Sequence, residues 1–235
     1  MFKRKFSLLI ILVLVLSLLA GCNNQMASKE RDNDDYIEIE DMAERTVIIP
    51  SNAEKAFATL PTGTILLYTL NPEKLLGWNY DLREGEKRFI PEKYHDLPNL
   101  GGAGKNAINI EEMLNMNPDF LVMMEELDEG SISKAEELEE KTGKPVILLD
   151  SDLYSLDIAY NILGKALGEE EKAEELANYC KETMNDIEEK VPNIKEEDKI
   201  GLYYAQGPAG LETEPSGSWH AEIIDLVGGR NVAEV

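Results

Sequence analysis

Residues 155–191 read SLDIAYNILGKALGEEEKAEELANYCKETMNDIEEKV, without a proline and with apolar side chains at helical spacing. Leu176, Cys180, Met184, Ile187 and Val191 step by four, four, three and four positions, which lines one face of a helix. The pattern predicts one helical connector from Ser155 to Val191, with Gly168 the residue that invites a break. A solvated coiled-coil partner helix is the rival reading. The connector is preferred because a strand-like run, Lys199–Tyr204, begins after it.

Upstream, short apolar runs alternate with amphipathic stretches. Tyr36–Glu40 and Thr46–Pro50 read as two brief strands around a turn at Asp41-Met42-Ala43. Lys55–Thr59, Leu75–Trp78, Phe120–Met124 and Pro145–Leu149 read as buried strands. Between them, helices are expected over Thr64–Leu70, from Pro91, over Asn109–Leu114 and over Ser133–Thr142, the last closed by Gly143. Strands that are apolar throughout and alternate with helices imply a parallel sheet covered on both faces. The expectation is an α/β lobe over residues 36–150, including the leading hairpin, followed by a connecting helix over 151–195.

Residues 196–235 supply one more strand, a glycine-rich loop from Gln206 to Gly217, and a helix from Trp219 to Leu226 ended by Gly228-Gly229. One strand cannot make a stable lobe. The fold class is therefore read as α/β, two Rossmann-like lobes joined by a long α-helix, the second lobe incomplete. About 100 further residues are expected in the intact protein, on the scale of an ordinary domain.

The N-terminus sets the compartment. Lys3, Arg4 and Lys5 precede an apolar run, Phe6–Ala20, that is shorter than the roughly 20 residues a spanning helix needs. This is the pattern of a secretory signal, assigned to residues 1–21. The run ends on Leu19-Ala20-Gly21-Cys22, which resembles a bacterial lipobox. That resemblance implies cleavage before Cys22 and a diacylglyceryl group on its thiol; a plain anchor helix with an incidental cysteine is the alternative. Residues 22–35 are polar and read as a flexible tether. With Cys22 lipidated, Cys180 has no partner and reads as a buried structural thiol. The formal charge of −23 argues against nucleic acid and anionic lipid surfaces as partners.

Taken in order, these segments resemble the helical-backbone (iron and vitamin B12 type) family of ABC-importer solute-binding proteins. Asp41-Met42-Ala43-Glu44-Arg45-Thr46-Val47-Ile48-Ile49-Pro50 is similar to that family's opening hairpin, D-x-x-G-R-x-V-x-I-P, with Glu44 where glycine is usual. Asn109-Ile110-Glu111, followed by Asn117-Pro118-Asp119-Phe120-Leu121-Val122, resembles its N-x-E … x-P-D-L-V segment. Ser218-Trp219-His220 through Leu226-Val227-Gly228-Gly229-Arg230-Asn231-Val232 resembles its G-S … L-x-x-L-G-G-x-N-V helix.

The resemblance implies a cleft between two lobes and a ligand such as an iron–siderophore, haem or a corrinoid. The expected partners are an ABC permease and its ATPase, and the expected location is extracytoplasmic, with a lipid anchor as the only membrane contact. The chain is expected to act as a monomer, without a cofactor and not as an enzyme. Glu111 matches the glutamate that docks the permease; an ordinary acid at a helix N-terminus is the bland reading.

Loops at the strand ends supply the candidate ligand contacts. Thr62, between Pro61 and Gly63, sits where a helix start offers free N–H donors. Trp78 and Tyr80 flank Asn79, and core packing is the even alternative for Trp78. Gly101-Gly102-Ala103-Gly104 permits close backbone approach and lacks the Gly-Lys-Ser/Thr of a phosphate loop. Glu125 follows an apolar strand, and Tyr204, Trp219 and His220 stand in the second lobe. The resemblance further implies that His220 could coordinate a ligand's iron; His95 is given no role. Few Arg and Lys lie near these loops, which argues weakly against a strongly anionic guest. Capture of bare zinc or manganese would need several convergent His and carboxylates, against two histidines here. A lipid-anchored chelatase-like enzyme is the alternative of another class, and no hydrolase or metalloprotease motif supports it.

Overall fold

The computed structural model describes residues 35–102, 106–218 and 220–233. The leader, Cys22, almost the whole tether and Trp219 lie outside the described residues. Among those described, no helix is long and apolar enough to cross a membrane.

Strands β1 (Tyr36–Glu40) and β2 (Thr46–Pro50) form the expected hairpin, in register from Tyr36 opposite Pro50 to Glu40 opposite Thr46. Its turn is held by Asp41, whose carboxylate is fully buried. That carboxylate accepts from the backbone N–H of Ala43 and of Arg45, from the Arg45 guanidinium at 2.8 and 2.9 Å, and from Leu148 N–H at 3.1 Å. Glu44 sits in the left-handed region at φ 59°. That conformation costs an L-residue about 1–2 kcal/mol, whereas each bond to the charged carboxylate contributes about 1.5–3 kcal/mol. The clamp wins. Glycine adopts this φ without that cost, which accounts for its place in the hairpin pattern that this turn resembles.

The lobe is built on a parallel sheet of β3 (Ala56–Ala58), β4 (Phe120–Glu125) and β5 (Val146–Asp150), in that order. Side chains alternate between two cores. Phe57, Leu121, Met123, Val146 and Leu148 face one way, while Ala58, Phe120, Val122, Met124, Ile147 and Leu149 face the other. Both sets are buried, as continuous apolar strands require. The hairpin turn closes the far edge: Met42 N–H donates to Leu148 O, and Arg45 donates to Val146 O. An edge capped this way cannot template another strand.

One of the four expected strands, Leu75–Trp78, is corrected to two isolated bridges, Leu75 with Ala56 and Trp78 with Asn99. Leu76 N–H donates to Ala56 O, and the chain then turns away to pair with 98–100. Gly77 permits the departure, since a Cβ there would stand 2.7 Å from Pro98 O.

Helix α1 (Pro61–Leu70) follows β3, and α2 (Glu84–Lys87) is one turn in the polar loop. Helix α3 (Ile110–Asn115) precedes β4 and is N-capped by Asn109. Helix α4 (Glu129–Thr142) starts earlier than read, because Asp128 and Ser131 form a reciprocal cap.

The connector is corrected from one helix to two. Helix α5 (Leu156–Leu167) ends at Gly168, φ 67°, and α6 (Glu170–Lys190) packs back against it. The pair comes so close that a Cβ on Gly164 would stand 2.2 Å from the Ala173 Cβ. Helix α5 buries Ala159, Leu163 and Leu167 against the first lobe, so it belongs to that lobe. Helix α6 is the true strut: its start is buried at Ala173 and Ala177, whereas Met184 and Ile187 are only half-buried.

Past it, β6 (Gly201–Leu202) and β7 (Arg230–Asn231) pair in parallel across α7 (Glu222–Leu226). Val191 and Ile194, at the far end of the strut, pack on Gly228 of this unit.

Because Glu44 is exposed and strained, Glu44→Gly is expected to raise unfolding free energy by about 1 kcal/mol. Urea denaturation with an unchanged m-value is the measurement.

Candidate functional site

The site lies at the C-terminal ends of β3 and β4. Thr59 N–H donates to Val122 O at 2.8 Å, which carries the ladder one residue past β3. The chain then enters α1 through an extended Leu60 at the N-cap and Pro61 in the first turn. No side chain caps this helix start, and no acid lies in its first turn. Helix α1 approaches the sheet closely, since a Cβ on Gly63 would meet the Ala58 Cβ at 3.0 Å.

Asn79 fixes the floor of the site. Only 1% exposed, it donates through Nδ2 to Ala58 O and Gly101 O, both at 2.9 Å, and accepts from Thr64 Oγ1 at 2.6 Å. One amide therefore joins the β3–α1 turn, the loop after Leu76 and the glycine pair. Gly102, at φ 100°, lies so near that a Cβ would stand 2.0 Å from Thr59 O. No other residue type fits there.

Above this floor opens a cleft of about 370 Å³, lined by Thr59, Leu60, Gly102, Met123, Glu125 and Lys134 among others. Glu125 Oε2 accepts from Lys134 Nζ at 2.5 Å, and the carboxylate holds the ammonium above the usual lysine range. The hydroxyls of Thr59 and Thr62 are buried and have no hydrogen-bond partner. An unpaired buried hydroxyl costs roughly 1–3 kcal/mol, so each is a group that a ligand could satisfy.

The sequence-predicted residues divide. Glu125 lines the cleft, and Thr62 stands in the α1 first turn beside it. Trp78 is corrected from ligand contact to core: it is 9% exposed, its indole N–H donates to Tyr94 O at 2.9 Å, and its ring lies 5.5 Å from Tyr68. Tyr80 is half-buried and donates to Glu86 Oε1 at 3.4 Å; burial first, then the Glu86 charge, raises its phenol pKa. Glu111 is exposed in the first turn of α3. Ala103 and Gly104 lie outside the described residues.

In the second lobe, the Tyr204 and His220 rings stack at 6.2 Å and 16°, with His220 Nδ1 3.6 Å from Glu214 Oε1. They face each other and line neither this cleft nor the inter-lobe groove described next. Among the described residues, no group of three or more His, Cys, Asp or Glu could hold a metal ion. The metal role read for His220 thus gains no supporting ligands. Between the lobes, Asp152, Leu153 and Tyr154 face Glu222, Asp225 and Leu226 across a groove of about 330 Å³. Cys180 is a free, half-buried thiol whose pKa is raised by burial.

Sequence reasoning missed Thr59 and Lys134. Thr59 reads only as the last residue of a strand, and Lys134 meets Glu125 through the placement of α4, which no local pattern encodes.

The sequence profile of the periplasmic binding protein family matches residues 83–235. A Bacillus subtilis protein named as an uncharacterized ABC transporter substrate-binding lipoprotein, YvrC, is 22% identical over 98% of this chain and 73% of its own length. Among solved structures, an ABC transporter solute binding protein from Sulfurospirillum deleyianum superposes with a TM-score of 0.75 at 24% identity, covering 84% of this chain and 62% of that one. A TroA-like periplasmic binding protein, FepB, from Veillonella parvula gives 0.61 at 26% identity over 84% of this chain and 62% of that one. The chain thus spans under two thirds of the length of these two solved proteins.

With Trp78 in the core, a Trp219→Phe variant, which leaves Trp78 as the single tryptophan, is expected to emit at short wavelength and resist acrylamide quenching. Red-shifted emission with free quenching would place Trp78 at the cleft surface instead.

Proposed function

Because the chain belongs to the periplasmic binding protein family, we propose that it is the solute-binding component of an ABC importer, delivering a small ligand to a membrane permease and its ATPase. The observation that carries this reading is the cleft at the ends of β3 and β4, pre-formed around Asn79 and open at an uncapped helix start. Open α/β sheets bind ligands at this end of their strands.

The ligand class that fits the resemblance is an iron complex, either a siderophore chelate or haem, or a corrinoid. The aromatic contacts read for a multi-ring guest lose Trp78 to the core, and neither Tyr80 nor Tyr204 lines the cleft or the inter-lobe groove. Bare zinc or manganese is disfavoured by the absence of a ligand cluster among the described residues. The leader and Cys22 support an extracytoplasmic protein tethered by lipid, and Glu111, exposed on the first lobe, is proposed to dock the permease through an arginine.

Isothermal titration of the protein against ferric siderophores, haem and cobalamin is expected to give saturable binding to one class. Glu111→Lys is expected to leave that affinity unchanged and to weaken association with the permease by about tenfold or more, as charge reversal at a docking pair does. Absence of binding to every compound would remove the ligand assignment. Unchanged permease affinity would remove the docking role.

A further inference from the structure

The cleft has a polar end where the hydroxyls of Thr59 and Thr62 lack partners. Helix α1 is ten residues long, starts without a side-chain cap, and has no acid in its first turn. The N–H groups of Thr62 and Gly63 lie in that first turn, where no preceding helical carbonyl can accept them. The aligned peptide dipoles leave partial positive charge at the same point. Independently, Thr59 is 6% exposed, lines the cleft, and carries a hydroxyl with no hydrogen-bond partner; the Thr62 hydroxyl is likewise buried and unpaired. A single unmet donor could be accidental. Here hydroxyls and helix-start amides are unmet together, beside the cleft.

We propose that the start of α1, with the Thr59 hydroxyl, is an oxyanion subsite that receives a carboxylate or comparably anionic oxygen of the transported ligand. This rests on the solute-binding reading and narrows its ligand class. Side-chain cations are not needed, because backbone N–H groups at a helix start bind anions by themselves. Of the two lysines lining the cleft, Lys134 is already neutralised by Glu125, and Lys141 is exposed in the last turn of α4. The formal charge of −23 opposes approach of an anion from a distance, but exposed charges beyond about 10 Å are screened by salt. Buried donors at contact distance are not screened in this way, so the local term decides. Gly102 contributes by bringing backbone against Thr59 O, which walls the subsite and limits it to a compact group.

The test is a ¹⁵N NMR titration of the full-length protein with two probes. One is inorganic phosphate, a free oxyanion; the other is gallium(III) citrate, a diamagnetic stand-in for a carboxylate-bearing iron chelate. Saturable shifts of the Thr62 and Gly63 amides with both probes are expected. Thr59→Val, which keeps the side-chain shape and removes the hydroxyl, is expected to weaken both by about tenfold, the loss of one hydrogen bond to a charged group. Thermal unfolding of this variant should be unchanged or higher, since an unpaired buried hydroxyl is removed. Saturable gallium citrate shifts at Met123 and Glu125 that leave Thr62 and Gly63 unmoved would overturn the subsite while leaving the importer reading intact. No shift with either probe would also overturn it, and the wider ligand titration then judges the importer reading separately. If Thr59→Val does not fold, the presence or absence of the Thr62 and Gly63 shifts in the wild-type protein decides by itself.

Discussion

One buried amide sets the shape of the cleft. Asn79 bonds Ala58 O, Gly101 O and Thr64 Oγ1, and so ties the β3–α1 turn, its own loop and the glycine pair together at one point. A buried side-chain amide must find partners or destabilise the fold. Those partners here are the end of β3, the first turns of α1 and the glycine pair at 101–102. The same amide that satisfies itself thereby fixes the Thr59–Gly63 turn, where the hydroxyls of Thr59 and Thr62 have no hydrogen-bond partner. On the proposed reading, a site formed before its ligand arrives avoids the ordering entropy that a floppy one must overcome on binding.

The lobe around it is rigid for separate reasons. The Asp41 clamp seals the β5 edge, and α5 packs across the other face of the sheet. Motion between lobes is therefore expected where packing thins: the second half of α6, where Met184 and Ile187 are half-buried, and residues 191–198, which form two short turns of 3₁₀ helix. The turn at Gly168 is no hinge, because the Gly164–Ala173 contact locks the two helices together. A hairpin with one arm fused to the first lobe and one arm free gives the strut a fixed base and a compliant tip.

Much of the architecture was legible in the sequence. Phe120–Met124 and Pro145–Leu149 read as buried parallel strands because nothing polar interrupts them, and the D-x-x-G-R-like turn located the hairpin. Glu44, an oddity against that pattern, proves to hold a left-handed φ of 59°, the region that favours glycine. The errors came from tertiary packing. Gly168 was visible, yet whether a glycine breaks a helix depended on Gly164 meeting Ala173, a contact between turns of chain. Leu75–Trp78 has strand composition but leaves the sheet at Gly77. Glu125, singled out for its place after an apolar strand, lies on the wall of the cleft. Trp78 was misassigned because an aromatic at a strand end serves core or ligand equally well by pattern, and here Tyr68 and Tyr94 O claim it. Thr59 was not singled out because the feature that marks it, a buried hydroxyl without a partner, is visible only in coordinates.

Hydrogen–deuterium exchange on Asn79→Ala tests most directly whether this side chain organises the cleft. Faster exchange confined to residues 59–64 and 100–102, with the β1–β2 hairpin and β5 as protected as in the parent, is the predicted result. Exchange that rises evenly across the lobe, or does not change in those segments, would contradict the account.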